Sequence, residues 1–315
     1  MLTLKGATGT YQLEHKNGKP GKFGGILTGN RLEDHLLVTG KLIPSPQSTY
    51  DQERLERLLN LSHPNLADTI EIISHEEQHY LVRRYYAGEN LKTILSKSKY
   101  HKHLSPHFRI KAAIALLDGL AHMHQQGLIH RDIKPANIIV RYQPGTSPDH
   151  WDPTEVLLTD FEQSLALPVK GRERSPFALV YSPPEQLLNH THLTGPQSDI
   201  FALGVTLYEM FAGSAPWVDC NAEILLNLQL TYPMKRPSRI DESLFSIIAR
   251  AAYKERFPLP PKRLAANVIE AILQQGIANR YPDAETMRND LTNYLESHPM
   301  PIAGRYARIK KWLSC

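Results

Sequence analysis

His130-Arg131-Asp132-Ile133-Lys134-Pro135-Ala136-Asn137 is the stretch that decides how this chain reads. An acid, a lysine two residues on and an amide three beyond that share one short segment, and a strand-like run, Ile138-Ile139-Val140, follows at once. Further along, Leu157-Leu158-Thr159-Asp160-Phe161-Glu162 is an apolar strand ending in a second acid. Two carboxylates and an amide at strand ends are suited to orienting a hydroxyl while holding Mg²⁺ against a polyphosphate. Hard cations take oxygen ligands, and phosphoryl transfer depends mainly on position and charge.

The rest of the 315 residues sets the frame. The length allows one large domain or two lobes with separate cores, and 41% hydrophobic with 22% charged residues is an ordinary globular composition. The net charge of +4 comes from scattered Lys and Arg, which gives no nucleic-acid footprint. Two distant cysteines, Cys220 and Cys315, argue against a disulfide framework. Met1 to Gly6 lacks a signal-peptide core, and the most apolar stretch, Ile200 to Gly213, is too short to span a bilayer and contains Glu209. A soluble cytoplasmic protein is expected.

The first ninety residues read mainly as strands. Gly18, Gly21, Gly24 and Gly25 punctuate Lys16 to Ile26, Leu36 to Ile43 is strand-like, and a helix is expected from Tyr50 to Leu61. Two further strands, Thr69 to Ser74 and His79 to Tyr86, flank a polar turn. From Gly88 on the pattern turns helical. Ser105-Pro106 starts a helix with Ile110, Ile114, Leu117 and Leu120 on one face, and Gly127 stops it. Pro144 to Pro153 is a polar insertion, Ile200 to Phe211 a buried helix, and Glu285 to Glu296 a closing helix.

The segment from His130 to Asn137 resembles the catalytic loop of eukaryotic-type Ser/Thr protein kinases, and further landmarks follow in that family's order from Tyr11 to His298. The resemblance implies an α+β, two-lobed fold. A small antiparallel-sheet N-lobe with one main helix (about 10–86) joins, through a hinge near 84–88, a larger, mostly helical C-lobe (about 89–298); 299–315 is a basic tail. It implies Asp132 as acceptor of the substrate hydroxyl proton and Lys134 as a neutraliser of the transferring group. Asn137 and Asp160 are implied as Mg²⁺ (or Mn²⁺) ligands, and Lys41, Gly21, Gly24, Ile26 and Tyr86 as ATP contacts. Pro183-Pro184-Glu185 resembles the end of an activation segment, with Ser164 and Ser175 as phosphorylation candidates. Asp199 resembles the aspartate that braces the catalytic loop, and Arg280 the late arginine that pairs with Glu185. Arg256 sits in a similar local context. If Arg280 is the partner, an extra helix is implied around Lys262 to Gln275.

Four positions depart from the pattern. The family register puts Arg54 where a glutamate partners Lys41, which leaves Glu53, one residue off, as the ion-pair candidate. Glu162 replaces the glycine after Asp160-Phe161, and Ala178 replaces a threonine. Arg83 stands at an apolar position, where a buried guanidinium is costly unless paired; Glu162 or Glu53 is the expected partner. The favoured function is Mg²⁺-dependent transfer of the ATP γ-phosphoryl group to Ser/Thr hydroxyls of proteins. A pseudokinase scaffold working with a regulatory partner protein is the alternative, and a small-molecule kinase the third reading.

Other signals are set aside. His75-Glu76-Glu77-Gln78-His79 spells the zinc-protease pattern, but that chemistry needs both histidines on one helical face, and these bridge two strands. With 15 histidines, pairs such as His122/His124 and His190/His192 arise easily.

Overall fold

The computed structural model describes residues 1–15, 25–97, 100, 102–169 and 178–299. Gly21, Gly24, Ser175 and the tail from 300 onward lie outside the described residues. The chain forms two compact units, Met1–Ala87 and Gly88–Cys315.

In the first unit, β1 (Leu2–Lys5), β2 (Thr10–His15), β3 (Ile26–Arg31), β4 (Leu37–Ile43), β5 (Thr69–His75) and β6 (Gln78–Arg84) make one antiparallel sheet in the order β1-β2-β3-β4-β6-β5. Helix α1 (Thr49–Leu59) stands between β4 and β5 in sequence, capped by Ser48, whose side chain accepts from the Asp51 N–H. The two-residue strand period sorts the sheet faces. Val38 and Leu42 join Leu4, Tyr11, Leu13, Leu27, Ile73, Tyr80 and Val82 in the core. Gly29 is required by close approach: a Cβ there would lie 1.8 Å from the Gln12 carbonyl oxygen.

The edge strand β1 lies ahead of the boundary expected near residue 10. It is tied down by Glu71 of β5, a buried carboxylate that accepts from the Ala7 N–H (2.8 Å), the Tyr11 hydroxyl (2.6 Å) and the Thr8 hydroxyl. Burial pushes the Glu71 carboxyl up, but the bonds from Thr8, Tyr11 and Ala7 outweigh it and hold it below its ordinary value.

The second unit opens with β7 (Glu89–Asn90) and α2 (Leu91–Ser96), followed by α3 (Pro106–Gln125). Ser105 caps α3 by accepting from the Phe108 N–H, and Gly127 (φ 68°) ends its last turn. Then come β8 (Leu128–Ile129), β9 (Ile138–Val140), β10 (Val156–Leu158) and β11 (Leu165–Ala166), with β9 paired to both β7 and β10, and β11 to β8. The helices α4 (Pro184–Leu187), α5 (Pro196–Ala212), α6 (Ala222–Thr231), α7 (Glu242–Ala251), α8 (Ala266–Ala278) and α9 (Ala284–Ser297) complete it. Helix α5 is buried on nearly every side, as its unbroken apolar run requires, and α9 packs on α3 and α7. The extra helix implied near 262–275 is α8, entered through a 3-10 turn at Pro261–Arg263. The insertion between β9 and β10 is anchored rather than merely polar. Trp151 is buried and stacks on Tyr142, with centroids 4.1 Å apart and planes at 8°.

The zinc-protease pattern is a β5–β6 hairpin. Glu76 and Glu77 take positive φ (46° and 62°) in a two-residue turn, with His75 paired to Gln78 and Ser74 to His79. No helical face holds the two histidines.

Candidate active site

Asp132, Lys134 and Asn137 follow β8, where the backbone leaves the sheet through an irregular loop that closes in a 3-10 turn, Pro135–Asn137. Lys134 Nζ donates to both Asp132 carboxylate oxygens (2.8 and 2.7 Å). Asn137 Nδ2 donates to the Asp132 carbonyl (2.9 Å) and to its Oδ2 (2.8 Å). Asp132 is therefore fixed by two donors, with Oδ1 the less encumbered oxygen. The amide orientation that these bonds select leaves Asn137 Oδ1 as an acceptor with no hydrogen bond among the described residues.

The loop backbone is held from behind by Asp199, on the first turn of α5. Its Oδ2 accepts from the His130 N–H and its Oδ1 from the Arg131 N–H, both at 2.8 Å, and His124 Nε2 lies 2.9 Å from Oδ2. Burial pushes this carboxyl up, but His124, His130 and the Arg131 N–H outweigh it and keep it below the ordinary carboxylate value. This support lets Arg131 keep a left-handed backbone (φ 70°), a conformation costing a non-glycine residue about 1 kcal/mol. Gln186 Nε2 donates to the Arg131 carbonyl, joining α4 to the same loop.

The second acid is positioned by a short bridge. The Thr159 N–H donates to the Asn137 carbonyl (2.9 Å), and His130 Nε2 donates to the Thr159 carbonyl (2.9 Å) while its Nδ1 accepts from the Asp132 N–H (3.2 Å). His130 also meets the fully buried Phe161 edge-on at 5.3 Å. Asp160, between Thr159 and Phe161, takes a left-handed conformation (φ 65°, ψ 54°) before the 3-10 turn Phe161–Gln163. The bonds at Thr159 thus hold the backbone leading into Asp160 against the loop that carries Asp132 and Asn137.

Glu185 and Arg280 form a buried bidentate pair at 2.6 and 3.0 Å. Ser198 Oγ donates to Glu185 Oε1, and Arg280 Nε donates to the Tyr253 carbonyl. Arg256 is exposed.

In the first unit, register places Ile26, Lys41 and Leu81 side by side across β3, β4 and β6, on the face opposite the core cluster. Arg83 pairs with Thr39 on that face, diagonal to Lys41, and is 6% exposed, so it does not reach into bulk water. The Tyr86 hydroxyl donates to Asp68 Oδ2 (2.8 Å), and burial pushes it above its ordinary pKa.

Two expectations are corrected. Glu53 lies on the exposed side of α1 and makes no ion pair among the described residues, either with Lys41 or with Arg83. The buried positions Tyr50, Leu55 and Leu58 set the helix phase, and that phase turns residue 54 inward and residue 53 outward. Ser164 is 2% exposed between the Phe161–Gln163 turn and β11, so its hydroxyl is closed to a modifying enzyme.

The family described as "Protein kinase domain" matches residues 11–289. The chain belongs to the protein kinase domain family. Among curated relatives it is 30% identical to sperm motility kinase 3A of Mus musculus over 198 residues, 62% of this chain and 36% of that protein. It is 29% identical to serine/threonine-protein kinase ppk25 of Schizosaccharomyces pombe (71% of this chain, 50% of that protein). Against serine/threonine-protein kinase PkaB of Streptomyces coelicolor the identity is 27% (72% and 52%). The chain spans about a third to a half of the lengths of these three relatives.

Within this kinase domain, several supports of the loop carry no mark in the sequence. His124, Ser198 and Gln186 act through bonds to residues 75, 13 and 55 positions away. Their residue types carry no signal at such separations. Arg54, Arg83 and Ala178 remain departures from the family pattern in the folded chain, and the backbone of Glu162 lies in the 3-10 turn after Asp160. No described helix is long and apolar enough to cross a membrane.

Proposed function

We propose that this domain transfers the γ-phosphoryl group of ATP to Ser or Thr hydroxyls of protein substrates. The observation that carries this reading is the network joining Asp132, Lys134 and Asn137, braced by Asp199, with Asp160 next to Thr159, whose N–H donates to the Asn137 carbonyl. Asp132 Oδ1 accepts the proton of the attacking hydroxyl, and Lys134, already on that carboxylate, follows the charge that develops next to it. Its ammonium is free to swing from Asp132 to the transferring group because its side chain remains partly exposed.

The donor set fits a hard divalent cation: an uncommitted amide oxygen on Asn137 and a carboxylate on Asp160. Those two residues would hold Mg²⁺ (or Mn²⁺), whose contribution when bound is to neutralise phosphate charge. Lys41, on the sheet face turned away from the core, is the residue for the nucleotide phosphates; Ile26 contributes beside it, and Tyr86 contributes from the chain that follows β6. The domain assignment follows: the sheet unit as the nucleotide lobe and the helical unit, organised around Glu185–Arg280, as the protein-substrate lobe. The names of serine/threonine-protein kinases among the relatives support that substrate class. A cytoplasmic location fits the same reading.

A nucleotide-responsive scaffold with a regulatory partner is the second reading. It is favoured by one observation: the inward position of α1 carries Arg54, and Glu53 makes no ion pair among the described residues. The two readings separate on incubation with γ-labelled ATP, Mg²⁺ and a basic protein substrate, beside Asp160→Asn. Label transfer lost in the variant supports the enzyme; no transfer with any divalent cation supports the scaffold.

A further inference from the structure

The segment after Pro183-Pro184-Glu185 brings two histidines to the surface of α8. His190 and His192 bracket the start of a 3-10 turn, Thr191–Leu193, and Glu270 sits on the second turn of α8. One ring nitrogen of each histidine and one Glu270 carboxylate oxygen lie within 4.8 Å of one another. His192 Nε2 and Glu270 Oε1 are 3.0 Å apart, and the two imidazole centroids are 5.6 Å apart. His190 Nδ1 is buried and has no hydrogen-bond partner among the described residues.

We propose that His190, His192 and Glu270 form a binding site for a borderline divalent transition-metal ion, with Zn²⁺ the best match. Three ligands of the N₂O type with a fourth position left to water is a recurring zinc arrangement, and imidazole selects Zn²⁺ over Mg²⁺ or Ca²⁺. Ligand bonds of 2.0–2.1 Å place tetrahedral donors about 3.3 Å apart. The His192–Glu270 pair already meets that spacing. The remaining contraction is a side-chain rotation, which the exposed His192 and Glu270 side chains (57% and 41%) allow.

The backbone on both sides is held by packing. Leu188 and Leu193 flank the histidines, Ile269 and Ile272 flank Glu270, and all four pack on the buried cluster Leu230, Phe257 and Leu273. A bound ion would clip α8 to the chain linking Glu185 to Asp199. This site is separate from the one proposed for Mg²⁺ and holds whether or not the domain transfers phosphate.

The test uses the full chain, stripped with a chelator, then titrated with Co²⁺ and Zn²⁺ beside His192→Ala and Glu270→Gln. The expected result is visible Co²⁺ absorption at one ion per chain, displaced by Zn²⁺ and not by millimolar Mg²⁺. Zn²⁺ affinity should fall at least tenfold in each variant. Zn²⁺ should also raise the melting temperature of the parent protein but not of the variants, whose metal-free melting matches the parent because both side chains are exposed. Absence of binding, or equal Zn²⁺ affinity in the parent and both variants, overturns the proposal.

Discussion

Arg280 and Glu185 meet as a two-bond ion pair at 2.6 and 3.0 Å, with side chains 1% and 0% exposed, although they lie 95 positions apart in the chain. A buried pair of this kind is neutral to weakly stabilising as a unit. Removing one member is costly, because the other charge is left without solvent or partner. Arg280→Met is expected to lower the unfolding free energy by about 3–5 kcal/mol. Arg280→Lys should recover only part, since an ammonium cannot present the two parallel N–H groups. Urea unfolding of the three proteins measures this, and a loss under about 1 kcal/mol for Arg280→Met would contradict it.

Asp199 gives a pH-dependent signature. Its folded pKa is depressed, so its contribution to stability is complete above the unfolded value of about 3.9 and is lost as pH falls through the lower folded value. Asparagine can accept at only one atom where Asp199 accepts the His130 and Arg131 N–H groups on two. Asp199→Asn should therefore cost about 3 kcal/mol at pH 7. The gap between parent and variant should stay level down to about pH 4 and narrow below it. A gap that fails to narrow below pH 4 would argue against this assignment.

Lys254 acts with the same sign of slope in a higher pH range. Burial pushes its ammonium down to about 7, although Nζ donates to the Tyr232 carbonyl (2.7 Å) and lies 4.7 Å from the Trp217 ring centre. A lysine with a depressed folded pKa binds fewer protons folded than unfolded, so it makes stability rise with pH from about 7 upward. Lys254→Met should flatten that rise between pH 7 and 9, read from urea midpoints across the range. Parallel pH curves for the two proteins would show that Lys254 stays charged.

Glu71 holds the edge strand β1 through Ala7, Thr8 and Tyr11. Glu71→Ala should leave the sheet assembled but speed amide exchange across Leu2–Lys5 by about tenfold or more, a local loss of ~1.4 kcal/mol. Unchanged exchange in β1 would mean that Leu4 packing alone secures it.

The loop His130 to Asn137 is legible in the sequence because the chemistry proposed for it requires particular residue types at fixed short offsets, and Asp132, Lys134 and Asn137 sit at those offsets. The long apolar helix α5 is legible for a related reason: a run that is hydrophobic on every side must be buried. Glu53 shows where such reading fails. A helix turns about 100° per residue, so a one-residue choice of partner depends on a phase that only the packing of Leu55 and Leu58 reveals. The anchoring of Pro144–Pro153 was hidden because its Trp151–Tyr142 stack gives no periodic signal, and β1 because four residues carry too little alternation.

The most direct test of the account is Asp132→Asn assayed for nucleotide binding and phosphoryl transfer together. Asp132 is assigned to the proton of the acceptor hydroxyl and not to the nucleotide. The variant should thus keep ATP·Mg²⁺ affinity within about threefold while its transfer rate falls by about 10²–10⁴. Transfer undiminished in Asp132→Asn, or absent from the parent protein under the same conditions, would contradict the proposed chemistry.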